Sequence, residues 1–159
     1  MSQNPYSNNV LLNLGIQSLN KMQEVAQNAI LNEDNILLLS PTGSGKTLAF
    51  LLPIFQLLEE DVKGVQCLIL VPSRELGLQI EQVWKKMGTH YKVNTCYGGH
   101  SIDIEINNLS NPPALLIGTP GRIADHLDRG SFATDNIKTY VLDEFDKSLQ
   151  LGFHEEMSY

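Results

Sequence analysis

Residues 37–50, LLLSPTGSGKTLAF, constrain the fold of this chain more than any other stretch: an uncharged apolar run enters a Gly-Ser turn, and an apolar helix pattern leaves it without a spacer. Strand, glycine-rich loop and helix in that order are the setting of a phosphate-binding loop. Gly43 and Gly45 let the backbone turn its N–H groups toward a phosphate, with Thr42 and Ser44 as the other loop residues. Lys46 supplies a point charge for the β- and γ-phosphates, and the Thr47 hydroxyl is of the type that ligates magnesium. Ser40 stands where the general G-x-x-x-x-G-K-[ST] pattern has its first glycine, so the strict pattern fails by one residue. A flexible Gly-Ser turn before an ordinary helix is the competing reading, and the intact GKT in the right context disfavours it. The loop specifies nucleoside triphosphate binding and leaves open what the energy does, since kinases, GTPases, transporters and helicases share it.

Around this loop, apolar blocks alternate with amphipathic ones, the pattern of βα units and a mainly parallel sheet. Strands are expected over residues 35–40, 67–73, 93–98, 114–120 and 139–145. Most are continuous apolar runs, so helices should cover both sheet faces. Helices are expected over residues 21–31, 46–58, 74–87, 102–109 and 122–128, separated by polar or Pro-rich breaks such as NNLSNPP. The Asn- and Ser-rich residues 1–14 read as a flexible lead-in, and residues 15–159 as one α/β domain. With 159 residues and 42% hydrophobic content, one compact domain is the expectation. No basic leader with an apolar core opens the chain, and no run of about 20 uncharged apolar residues follows, which reads as cytoplasmic and not membrane-bound. Cys67 and Cys96 fall in separate apolar runs without CxxC spacing and read as buried free thiols. A net charge of −7 excludes a polybasic nucleic-acid binder, so any such contact must be local.

Four further motifs follow in order, each at a strand end: PSRELGLQ (residues 72–79), YGG (97–99), TPGRI (119–123) and VLDEFD (141–146). Singly, each has an ordinary reading. Arg74 with Glu75 is a first-turn charge pair, Gly98-Gly99 a turn, TPGR a helix start with Pro in its first turn, and Gln23 a solvated glutamine on an amphipathic helix. Together with the phosphate loop they closely resemble the first RecA-like domain of the DEAD-box ATP-dependent RNA helicases, over almost the whole chain from Gly15 onward.

The resemblance implies a RecA-like P-loop NTPase fold, ATP and Mg²⁺ as cofactors, and RNA as partner. It implies that Lys46 and Thr47 hold phosphate and magnesium over the Gly43–Ser44–Gly45 cradle. Asp143 would hold magnesium through water, and Glu144 would position and activate the attacking water. Asp146 would link this box to a later Ser-Ala-Thr motif, and Gln23 would read adenine. Pro72, Arg74, Gly98, Gly99, Thr119, Gly121 and Arg122 match positions that grip the sugar-phosphate backbone of one RNA strand, with little sequence preference. A DNA helicase of the same superfamily and a non-catalytic RNA clamp are the alternatives.

The chain departs from the family pattern in three places. Upstream, GIQSLNKMQ keeps Gly15, Ile16 and Gln23 at family spacing but lacks both prolines and has Asn20 where Thr or Ser is usual. No aromatic stands at the family's adenine-stacking spacing, with Tyr6 a substitute. The acidic box reads DEFD, which puts Phe145 at what should be a crowded strand end and implies local repacking. The chain stops at GFHEEMSY, inside an expected helix, before the Ser-Ala-Thr motif and the second RecA-like domain. The implied strand of that motif lies between the phosphate-loop strand and the DEFD strand, so the expectation is an incomplete sheet with exposed apolar side chains, marginal stability and poor activity alone.

Overall fold

The computed structural model describes residues 8–153 and 155–158. The chain divides into two compact units, one formed by residues up to Leu58 with Val83–Thr89, the other by Glu59–Gln82 and the residues from His90 onward.

The second unit contains a parallel sheet of four strands, β1 (Cys67–Leu70), β2 (Val93–Cys96), β3 (Leu115–Gly118) and β4 (Thr139–Leu142), in the order β2-β3-β1-β4. Each is the core of an expected apolar run, shorter at its C-terminal end. Leu68 and Leu116, opposed in the register, face a cluster with Val65, Leu109, Ile123 and Phe132. This face is covered by α5 (Ile102–Leu109) and α6 (Pro120–Asp128). On the other face, Gly77 of α4 (Arg74–Met87) sits where an added Cβ would lie 3.0 Å from Thr95 Cγ2 and 3.6 Å from Ile117 Cγ2, so absence of a side chain lets helix and sheet approach. Burial of these β-branched and Leu side chains drives the packing at about 25 cal/mol per Å² of apolar surface.

β4 is the exception. Its residues alternate half-buried and exposed, with Tyr140 63% and Leu142 47% exposed on the face that covers Leu68 and Leu70 elsewhere in the sheet. Beyond it, residues 145–150 form α7 (Phe145–Gln150), followed by turns and a short 3-10 helix at Glu156–Ser158. Where the sequence suggests a helix at GFHEEMSY, the described residues carry turns and this short 3-10 helix.

The first unit is helical. α2 (Lys21–Asn32) packs on α3 (Lys46–Leu57), and Phe55 meets Trp84 edge to face at 6.3 Å between ring centroids. Residues 8–14, expected within a flexible lead-in, form α1 (Asn8–Leu14). Val10 and Leu11 are buried, and Asn13 Nδ2 donates to the Met87 carbonyl at 3.1 Å. Tyr6 lies outside the described residues.

The strand expected at residues 35–40 is not formed. The segment has no regular secondary structure, and Ile36, Leu37 and Leu39 are 41%, 69% and 80% exposed. A strand exists only through its neighbours' hydrogen bonds, and apolarity alone does not supply them.

Candidate functional site

In the phosphate-type loop, Gly43 and Gly45 have φ of 79° and 88°, a region that costs a side-chain-bearing residue about 1 kcal/mol or more. At Gly45 space forbids a side chain too, because an added Cβ would lie 2.5 Å from Gln23 Nε2. Gly45 is also the N-cap of α3 and makes no side-chain cap, so this helix start offers backbone N–H groups and the positive end of its dipole. Ser40, in place of the usual glycine, bonds the Ser44 hydroxyl at 2.8 Å and closes the loop across its base. Thr42 is exposed, whereas Lys46 and Thr47 are half-buried at the first turn.

The loop is braced from α2. Asn20 and Gln23 form a reciprocal capping box: Gln23 N–H donates to Asn20 Oδ1 and Asn20 N–H to Gln23 Oε1, both at 2.9 Å. Asn20 Nδ2 then donates to the Ser44 carbonyl at 3.1 Å, and Gln23 Nε2 to the Gly45 carbonyl at 3.2 Å. Both braces take carbonyl oxygens and so consume no loop N–H group, although the Ser44 N–H itself donates to the Pro41 carbonyl at 3.3 Å. Gln23 is 6% exposed, so its ordinary reading as a solvated surface residue does not hold. Asn20 caps as well as Ser or Thr does, which explains how the helix starts without the family's prolines.

At the end of β4, Asp143 N–H donates to the Leu70 carbonyl at 3.0 Å and extends the ladder. Glu144 is the one non-glycine residue with positive φ among the described residues, at φ 49° and ψ 41°. Backbone strain of this kind collects at functional turns. Here it ends the strand and starts α7 in one residue. Lys147 Nζ lies 2.7 Å from Glu144 Oε2, and this bond raises the lysine pKa above its ordinary value. Asp146 is exposed in the first turn of α7. Phe145 is 39% exposed, so the crowding and repacking expected for a ring in this box do not occur: the chain has already left the sheet.

Three of the four strand-end motifs converge, the VLDEFD box standing apart. Pro72, Arg74, Gly98, Thr119, Gly121 and Arg122 line one open cleft of about 470 Å³, and Gly99, at φ 97°, sits in the adjoining turn. Sequences about 20 to 50 residues apart meet there because parallel strands deliver their C-terminal loops to the same edge. Ser73, Tyr97, Asp125 and Phe153 also line the cleft and had not been assigned a role. Tyr97 carries Arg74 over its ring, Cζ 4.6 Å from the centroid, a cation–π contact that orients the guanidinium. Asp125 pairs with Arg129 at 2.7 Å, and this hydrogen bond holds its carboxyl below the usual carboxylate range. Phe153 closes one side near Gly121.

Arg122 is aimed differently from Arg74. Its Nε donates to the Tyr97 carbonyl at 3.1 Å and its Nη2 to the His100 carbonyl at 2.7 Å, and its side chain is only 11% exposed. Beneath it lies Glu105, 4% exposed, with His126 Nε2 at 2.6 Å from its Oε2. Neither residue was identified in the sequence, although both sit on the buried stripes of their helices, Glu105 between Ile102 and Leu109, His126 three residues after Ile123. A charged or titratable residue on a buried stripe is the signal that was available. Cys96, next to Glu105, has its thiol pushed up to about 12, by burial first and by the carboxylate second.

Comparison with known proteins agrees with this arrangement. The family description "DEAD/DEAH box helicase" matches residues 20–159. The chain is 37% identical over 150 residues to the ATP-dependent RNA helicase DeaD of Escherichia coli (strain K12), covering 92% of this chain and 24% of that protein. It is 39% identical over 138 residues to the ATP-dependent RNA helicase eIF4A of Kluyveromyces lactis, covering 86% and 35%. A DEAD box protein from the hyperthermophile Methanococcus jannaschii superposes with a TM-score of 0.89 at 34% identity, over 97% of this chain and 44% of that one. The chain thus spans about a quarter to under a half of these relatives. With a parallel α/β sheet, a phosphate-type loop and the strand-end motifs in order, the chain belongs to the DEAD/DEAH box helicase family.

Proposed function

We propose that this chain is the nucleotide- and RNA-binding half of an ATP-dependent RNA helicase, which couples hydrolysis to local duplex separation or RNA–protein remodelling. The observation that carries the reading is the cleft: six residues from three separate motifs line it, with Arg74 held over Tyr97 and with backbone-rich glycine turns. Such a surface grips sugar-phosphate without reading bases. The names of the relatives, ATP-dependent RNA helicases, support the same direction.

In this reading, the N–H groups at the start of α3 and Lys46 hold the triphosphate, with Gln23 at the adenine. Thr47 and Asp143 offer the hard oxygen donors that Mg²⁺ takes, directly and through water, and the ion would neutralise charge on the phosphates. Glu144 orients the attacking water and draws off its proton as attack proceeds in line on the γ-phosphate. Its strained turn fixes where the carboxylate starts from, while the exposed Lys147 pair is worth little and yields easily. Asp146 links the acidic box to a later motif, and unwinding requires a second RecA-like domain as partner. The chain works in the cytoplasm; among the described residues no helix is long and apolar enough to cross a membrane.

The test is ATP hydrolysis by the natural protein with and without single-stranded RNA. Stimulation by RNA, lost in Glu144→Gln with nucleotide binding kept, is expected. Preferential stimulation by single-stranded DNA would move the assignment to a DNA helicase, undiminished hydrolysis in Glu144→Gln would refute the catalytic role of that carboxylate, and absence of hydrolysis in the natural protein would leave a non-catalytic clamp.

A further inference from the structure

We infer that Glu105 is a positioning residue for the nucleic-acid cleft: one buried carboxylate, outside the cleft itself, sets the shape of the Tyr97–Gly98–Gly99–His100 turn and the aim of Arg122. The inference rests on the reading of the cleft as an RNA site. Four nitrogen atoms converge on the carboxylate, three of them at 2.6–3.0 Å and the Arg122 Nε at ion-pair distance. Tyr97 N–H donates to Oε1 at 3.0 Å, and His100 Nε2 lies 2.9 Å from the same oxygen. Arg122 Nε lies 3.5 Å from Oε2 and His126 Nε2 2.6 Å from it. Arg122 in turn donates to the carbonyls of Tyr97 and His100. The turn after β2, the first turn of α6 and α5 are therefore tied through a single side chain.

A carboxylate at 4% exposure is tolerated only because its oxygens are satisfied, and removing it leaves the Tyr97 N–H without its acceptor and the buried Arg122 guanidinium without its opposite charge. The consequence falls on two cleft elements. The Tyr97 ring that carries Arg74 belongs to the tied turn, and Arg122 and Gly121 belong to the tied helix start. Cys96, Glu105 and His126 also lie close enough together to suggest a metal, with donor atoms within 4.8 Å. Hydrogen bonding accounts for them better: Nε2 and Oε2 are 2.6 Å apart, a hydrogen-bond distance, and the Cys96 thiol is kept protonated.

The experiment compares the natural protein with Glu105→Ala, Glu105→Gln and Glu105→Asp in three measurements: affinity for a single-stranded RNA oligonucleotide, KM for ATP, and amide hydrogen exchange at residues 97–100 and 119–123. Glu105→Ala should weaken RNA binding about tenfold or more with KM for ATP unchanged, and should speed exchange in both segments. Glu105→Gln keeps an acceptor for Tyr97 N–H and His100 and should recover most of the loss. If the alanine variant does not fold, Glu105→Asp carries the test, since it keeps the charge but withdraws it by one methylene and should show the same split between RNA and ATP. Unchanged RNA affinity and exchange in the folded variants would overturn the inference. Failure of the unsubstituted protein to bind RNA would overturn the reading of the cleft instead, while the exchange data would still decide whether Glu105 positions the turn.

Discussion

On the proposed mechanism, Glu144 is where stability and chemistry pull apart. Its left-handed backbone costs about 1 kcal/mol, which Asn tolerates better than Glu. Glu144→Asn should therefore raise the thermal midpoint by about 2 °C while abolishing ATP hydrolysis, a pairing that calorimetry and an ATPase assay reveal together. Gly118 shows the opposite case, where space and not conformation excludes a side chain. An added Cβ would lie 2.4 Å from Ile123 Cδ1 and 3.0 Å from the Cys96 carbonyl oxygen, and the second of these cannot rotate away. Gly118→Ala should cost about 1–3 kcal/mol, read as a lower midpoint in denaturant with an unchanged slope. Cys67 and Cys96 are both fully buried with raised thiol pKa values, so neither is a thiolate near neutrality. An aromatic disulfide reagent should label neither in the native protein and both on unfolding, and prompt native labelling would contradict the burial.

Among the elements, what was legible in the sequence was what is local. α4 and α5 run over the residues their apolar periodicity predicts, and α2 and α3 end within a residue of it, because a helix closes its hydrogen bonds within its own segment. The GKT loop is legible for the same reason: strain, charge and helix dipole are all carried within a few residues. Residues 35–40 failed as a strand because strand formation depends on what lies alongside, and their apolar pattern is silent on that. Glu105 escaped notice likewise, since the four nitrogens around it come from the turn after β2 and from α6 and no spacing rule joins them. The α2 start is a case between these. The Asn20–Gln23 capping box is a local pattern, but its reach to the Ser44 and Gly45 carbonyls is not. Asn20→Ala should cost about 1 kcal/mol through the lost cap, and it should also weaken ATP binding through the loosened loop. A variant that lost the stability and kept the KM for ATP would show that the brace is structural only.

At the scale of the whole molecule, charge and contact disagree in an instructive way. A chain of net charge −7 repels a polyanion as a body, yet the cleft presents its cations singly. Arg74 and Arg122 are the cationic residues of the lining, Asp125 stands beside them paired to Arg129, and Arg122 already spends two donors on carbonyls of the chain. Binding must then lean on backbone N–H groups and glycine turns, which displace few counterions. For single strands each neutralised phosphate contributes about −0.7 to the slope of log K against log salt concentration, so one to two cations give a slope between about −0.7 and −1.4. A titration of this chain with a single-stranded RNA across salt concentrations measures it directly. A slope several times steeper would place the binding on a basic surface elsewhere and remove the cleft from its role, whereas a shallow slope with Arg74→Ala reducing it further ties the affinity to the guanidinium held over Tyr97.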